Sequence, residues 1–462
     1  MNQKANKKNK PAPNYRAVML VTCLSASLVP LMGSALNLAL PFINADFSLS
    51  ARASGWIATS YLLSTAIFQI PCARLADIIG RRKVFIMGVT IFLLSSVCCG
   101  FAPNGDTLIA FRFLSGLGSA MMFSTNIAIL TAAVPAEKRG WALGVNTATV
   151  YFSIAAGPFI GGLLTQAFGW HSIFFLAVII SVIVLIGAAI IIKDDWKDPS
   201  KKAFDYIGTV IYAAGLFSLI YGFSNLPGTK GIILALAGVL ILTLFTFYEK
   251  KLEAPVFNIN LFIKNRIFRL STLSALINYS ATMCIAFMLS LYLQYIRGLS
   301  PTSAGAILVG QSLVMAVVSL MSGKLSDRIA PHKMASIGMM LISLGLICLC
   351  FLTTVTPFAL IVIILVVIGF GFGIFSSPNM NIIMSSVDKS EYGQASATTG
   401  TMRLVGQAFS MGLAMMSMSI YIGSAQISSE VNVELMQSMR LAFIISACLC
   451  VLGVFTSAAR RK

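Results

Sequence analysis

"RLADIIGRRK" runs from Arg74 to Lys83, and "KLSDRIAPHK" runs from Lys324 to Lys333. At a shift of 250 positions the two strings share Leu75/Leu325, Asp77/Asp327 and Lys83/Lys333. A second pair stands at a shift of 253, "GLGSAMMFSTNIAILTAAV" (116–134) and "GFGFGIFSSPNMNIIMSSV" (369–387). It shares Gly116/Gly369, Gly118/Gly371, Ser124/Ser377, Asn126/Asn379 and Val134/Val387. Polar strings of one pattern, this far apart in an apolar chain, indicate a duplicated unit.

The surrounding composition says what kind of unit. Of 462 residues, 57% are hydrophobic and 10% charged, where a soluble protein carries about 25% charged residues. A helix needs ~20 apolar residues to cross the hydrocarbon core of a bilayer. Polar punctuation predicts spans over 17–43, 53–73, 83–102, 107–134, 140–166, 172–192, 205–224, 231–248, 268–295, 302–323, 333–354, 357–386, 392–421 and 439–458. The expected fold is an all-α polytopic membrane protein with 14 transmembrane helices. A parallel repeat relates two six-helix bundles, and two additional helices link them. The expected order is a tail at 1–16, the first bundle at 17–193, the linker at 194–267, the second bundle at 268–459 and a tail at 460–462. The run Ala17–Ile43 is longer than a signal-peptide core and is expected to remain as a span.

Charge orients this frame. With both termini inside, 27 of the 33 Lys and Arg fall on the cytoplasmic side, four on the outer side and two within spans. The positive-inside rule therefore places both termini and both charged strings in the cytoplasm of a multi-pass cell-membrane protein. The net charge of +18 comes from these short loops, not from a basic stripe with interleaved aromatics, so nucleic acid is not an expected partner. The nine cysteines include no C-x-x-C pair and read as packing residues. No metal cluster, nucleophile elbow or P-loop is present, which argues against an enzyme, and no cofactor is expected.

Candidate functional residues follow from what a membrane interior tolerates. All fifteen acids lie in loops or at span ends. The charges within spans are Arg112 and Arg403; a cation at mid-depth costs at least ~2.5 kcal/mol and should face a cavity or a partner. Asn37, Asn126, Asn146, Asn278, Gln311, Asn379 and Gln407 either line a cavity or tie helices together by hydrogen bonds. Tyr61, Tyr151 and Tyr279 are candidate pocket aromatics. Asp77 and Arg81 are four apart and can pair on one helical turn. With Gly80 and Arg82, and with Asp327 and Arg328 in the second copy, they form a candidate conformational latch; the alternative role is topological anchoring. Gly157, Pro158, Gly161 and Gly162 should bend span 5 and admit a neighbouring helix closely.

These strings together resemble the major facilitator superfamily, in its fourteen-helix drug:proton antiporter branch. "ARLADIIGRRKV" is similar to that family's G-x-L-a-D-r-x-G-r-k loop, "LIAFRFLSGLGSA" to its span-4 arginine string, and "AAGPFIGG" to the span-5 signature of its antiporters. "WIATSYLL", "FDYIG", "EKKLEAPVFNINLF" and "LYLQYIRGLSPTSAG" resemble the fourteen-helix branch. The resemblance implies a monomeric carrier that works by alternating access, with a small-molecule substrate and protons as partners, and multidrug efflux of amphiphilic compounds. One position departs from the pattern. The branch carries an Asp in span 1, whereas "LMGSALNLALP" (31–41) has Met32 there. That departure opens the alternative of an organic-anion or metabolite exporter, or a facilitator without proton antiport.

Overall fold

The computed structural model describes residues 15–135, 138–193, 195, 204–252, 259–326, 328–387, 392–423, 425, 427 and 431–458. The elements are α1 (Tyr15–Phe47), α2 (Ala51–Ile79), α3 (Arg81–Gly100), α4 (Gly105–Ala133), α5 (Arg139–Phe168), α6 (His171–Ile191), α7 (Tyr206–Ser224), α8 (Thr229–Glu249), α9 (Ile259–Lys264), α10 (Arg266–Leu291), α11 (Pro301–Leu325), α12 (Pro331–Leu349), α13 (Phe358–Ser385), α14 (Tyr392–Tyr421) and α15 (Asn432–Ala458). Among the described residues, fourteen helices are long and apolar enough to cross a membrane, and α9 is a short addition.

Several helices run past their expected ends. The final helix starts at Asn432, seven residues before the expected span. The string 74–83 is mostly helical: α2 carries Asp77, Gly80 breaks the chain, and Arg81 opens α3. Gly80 has φ +117°, a conformation other residues seldom reach, so the break between the two long helices depends on it. Elsewhere helix starts are set by side-chain caps. Ser50, Asn104, Asp205 and Asn265 accept from the backbone N–H of Ala53, Thr107, Gly208 and Phe268, which supplies acceptors to donors that otherwise have none. The end of the molecule where α1 begins and α15 ends is called the basic end, and the opposite one the far end.

The duplication is legible in the packing. In one set α1 packs on α4, α5 and α6, α2 on α4, and α3 on α4 and α6. In the other α10 packs on α13, α14 and α15, α11 on α13, and α12 on α13 and α15. The paired glycines act at equivalent contacts. A Cβ on Gly116 would lie 2.5 Å from the Tyr61 carbonyl oxygen, and one on Gly369 would lie 2.3 Å from that of Gln311. Gly118 approaches the Gly88 carbonyl to 2.8 Å by the same measure, and Gly371 the Gly338 carbonyl to 2.7 Å. Each contact partner in the second half stands 250 positions after its mate in the first. Small residues here let backbones meet where a side chain would hold them apart.

The halves meet along two symmetry-related seams, α2 on α14 and α5 on α11. The linker helices α7 and α8 pack on each other, and α7 lies along the α2–α14 seam. The Tyr212 hydroxyl donates to the Ala66 carbonyl of α2 at 3.3 Å, and Phe223 stacks on Phe409 of α14 at 4.2 Å.

Candidate functional site

Arg403 sits eleven residues into α14, roughly 16 Å from the basic end of a ~30 Å core. It is half-buried, and its guanidinium carbon lies 5.8 Å from the ring of Phe123 on α4, in the other half. Tyr279 of α10 neighbours both Arg403 and Tyr151, and packs edge-on against Phe372 of α13 at 5.5 Å. The hydroxyls of Tyr151 on α5 and Ser376 on α13 share a hydrogen bond of 3.0 Å across the halves. Arg403 thus has an aromatic neighbour from each half, Phe123 and Tyr279. Gln407, one turn along α14, and Gln311 on α11 are also half-buried.

Other polar residues of the spans serve the packing instead. Arg112 is 2% exposed. Its Nε donates to the Ile57 carbonyl at 3.2 Å, and its guanidinium lies 4.3 Å over the Tyr61 ring. The Tyr61 hydroxyl shares a 2.7 Å hydrogen bond with Ser119. Of the two roles expected for Arg112, this structure shows the partner: it and Tyr61 face the α2–α4 contact, where a π face and a carbonyl satisfy the cation. Met32, at the position where the branch has an acid, is 1% exposed and packs in the core. Asn126 donates to the Thr22 carbonyl of α1 at 2.7 Å and accepts from Asn146 of α5 at 3.2 Å. Asn379, its repeat mate, donates to the Ser271 carbonyl of α10 at 3.3 Å. This pair ties α4 to α1 and α13 to α10 in the same way. Asn37 and Asn278 are buried as well.

Toward the far end the halves seal against each other. Pro41 has no N–H, so the Asn37 carbonyl four residues earlier lacks its helical donor. Ser290 of α10 supplies one at 2.6 Å. Gln294 donates to the Leu38 carbonyl at 3.3 Å, the Tyr295 hydroxyl to the Pro41 carbonyl at 3.3 Å, and Arg52 to the Ser419 hydroxyl at 2.8 Å. Gln294 and Tyr295 belong to a π turn, Tyr292–Ile296, that ends the α10 rod. The span-5 motif completes the seal. Gly157 and Gly161 face Ser34 and Ala35 of α1, while Gly162 meets the Pro301 carbonyl of α11. Gly305 of α11 in turn meets the Pro158 carbonyl.

At the basic end, Asp77 and Arg81 form the expected pair, at 3.0 Å. Arg82 is held within its own half. It donates to the carbonyls of Ile192 and, at 3.2 Å, Ala189 at the end of α6. Its backbone N–H donates to the Asp195 carboxylate at 3.2 Å. That carboxylate lies directly against Gly80, where a Cβ would come within 2.2 Å. Asp195 thus caps α3, a role that favours an anion at a helix start. Arg328 is exposed, and Asp327 lies outside the described residues.

A sequence model of the Major Facilitator Superfamily matches residues 22–411 and 272–461. The chain belongs to the major facilitator superfamily. It is therefore a transporter and not an enzyme, as the sequence predicts. Within the superfamily it is 28% identical over 400 residues to the riboflavin transporter RibZ of Clostridioides difficile, covering 87% of each chain. It is 27% identical to the multidrug resistance protein Stp of Mycobacterium tuberculosis (strain CDC 1551 / Oshkosh), covering 84% of this chain and 73% of that one. The fold is similar to that of a bacterial homologue of the human lysosomal transporter Spinster, solved inward-facing and unoccupied. The TM-score is 0.68, with 17% identity over 98% of this chain and 99% of that one.

Two contacts described above escape a reading of this superfamily member's sequence. Asp195 gives no local signal, because the helix it caps starts more than a hundred residues earlier. Phe123 is one of 31 phenylalanines, and only the meeting of α4 with α14 singles it out.

Proposed function

We propose that the chain exports small amphiphilic compounds across the cell membrane by alternating access, with its basic end in the cytoplasm. The observation that carries this reading is Arg403 between Phe123 of one half and Tyr279 of the other, with Tyr151 and Phe372 beside Tyr279. A compound seated there touches both halves, so its binding free energy can differ between the two closed states, as a carrier requires. The far-end seal leaves the basic end as the entry side. The likenesses to a riboflavin transporter and a multidrug resistance protein support a small organic cargo.

Proton antiport, which the branch resemblance implies, needs a group whose protonation alternates with cargo. The usual span-1 acid is replaced by buried Met32. Of the acids at the membrane edge, Asp77 is paired with Arg81 and Asp46 accepts from the Trp170 indole at 2.6 Å. The positive charge of Arg403 favours neutral, zwitterionic or anionic cargo over dications. Efflux from vesicles carrying wild type or Arg403→Gln tests this reading. Acidic amphiphiles should leave faster than a permanent dication in wild type and lose that advantage in the variant. Rapid proton-driven export of the dication by the wild type would contradict it.

A further inference from the structure

Export consumes free energy, and the site constrains its source. Arg403 lies beside Phe123 (α4) and Tyr279 (α10), and Tyr151 (α5), Phe372 and Ser376 (α13) adjoin Tyr279. All fifteen acids lie in loops or at span ends, and both histidines stand at helix starts, so the span interior around Arg403 offers no carboxylate or imidazole to carry a proton. Arg403 is a fixed positive charge at the junction of the halves.

We propose that the cargo is a planar organic monoanion and that the membrane potential drives its export by acting on the cargo's own charge. This rests on reading the surroundings of Arg403 as the cargo site. An anion there makes the loaded site neutral, which offsets the cost of holding a lone cation at mid-depth. Arg403 stays with the protein throughout the cycle, so one turnover moves one negative charge outward. An inside-negative membrane favours that step about 50-fold per 100 mV. Phe123, Tyr279 and Phe372 supply ring surfaces for a flat body whose anionic group reaches the guanidinium, and Arg binds planar oxyanions through paired N–H groups.

The test uses the purified full chain in liposomes with anthraquinone-2-sulfonate, a planar monoanion at every accessible pH, and ethidium, a permanent monocation. A potential is set with valinomycin and a potassium gradient, and a pH gradient is set separately. The expected result is sulfonate movement toward the positive side, reaching about 50-fold at 100 mV, with no response to the pH gradient. Arg403→Gln should abolish it, and Arg403→Lys should keep the voltage response at a lower rate. Sulfonate movement that follows the pH gradient, ignores the potential or persists in Arg403→Gln overturns the proposal. Movement of ethidium without the sulfonate overturns it while leaving an exporter. Movement of neither probe counts against both readings.

Discussion

Gly162→Ala probes the far-end seal at a contact in which backbone of one half meets backbone of the other. The added Cβ would lie 2.4 Å from the Pro301 carbonyl oxygen, 2.8 Å from its carbon and 3.0 Å from the Thr302 Cα. Ordinary contact begins at 3.4 Å, so the first distance is short by about 1 Å. All three atoms are backbone, so no side chain can rotate away, and the α5–α11 seam itself must widen. Overpacking of this kind costs about 1–3 kcal/mol. The contact exists only while the far end is closed, so the cost falls on that state alone. The equilibrium should shift toward opening of the far end by about 5- to 150-fold. The assay is the rate at which an impermeant maleimide labels a cysteine placed at Thr302 in a cysteine-free background. Gly161→Ala is the control, because its Cβ would meet the Ala35 Cα of α1 at 2.6 Å within the same half. It should lower thermal stability without raising the labelling rate. Equal labelling of Gly162→Ala and the parent would refute the reasoning.

Three further outcomes follow from the assigned contacts. Asp195→Ala removes the cap on α3 and should cost about 1 kcal/mol of stability, read as a lower melting temperature, while the relative rates for different cargoes stay as they are. Arg112→Met replaces a buried cation by an apolar chain of similar length, which is often neutral or stabilising. Cargo export should then persist, whereas Arg403→Met should abolish it, and loss of export in both variants would mean that Arg112 serves the cargo. Met32→Asp places a charge in the core and should lower folded yield by gel filtration, as unpaired buried charges do. A well-folded variant with new ethidium export would show that Met32 reaches the opening.

The sequence carries the repeat because the repeat is enforced by contacts that only glycine permits. Gly116 and Gly369 meet equivalent backbones, and no larger residue fits there. The Asp77–Arg81 pair is legible for a different reason: i,i+4 spacing is a local geometric fact. Which face of a helix looks inward is not local. Arg112 and Arg403 are both single charges within spans, yet one lies over Tyr61 inside a half and the other beside Phe123 between halves. Nothing in their spacing separates these fates. The asparagines illustrate the same limit, since the shared helix ties of Asn126 and Asn379 appear only once the helices are packed.

The central claim is that the two halves rock about the Arg403 site. Spin-label pairs test it most directly. One pair at Leu163 and Ser303 spans the far-end seam, and another at Ala132 and Ser385 spans the basic end; all four positions are exposed. With anthraquinone-2-sulfonate the account predicts that the far-end distance lengthens as the basic-end distance shortens, and that Arg403→Gln does not respond. Distances at both ends that stay fixed with the sulfonate, or that change equally in wild type and Arg403→Gln, would contradict it.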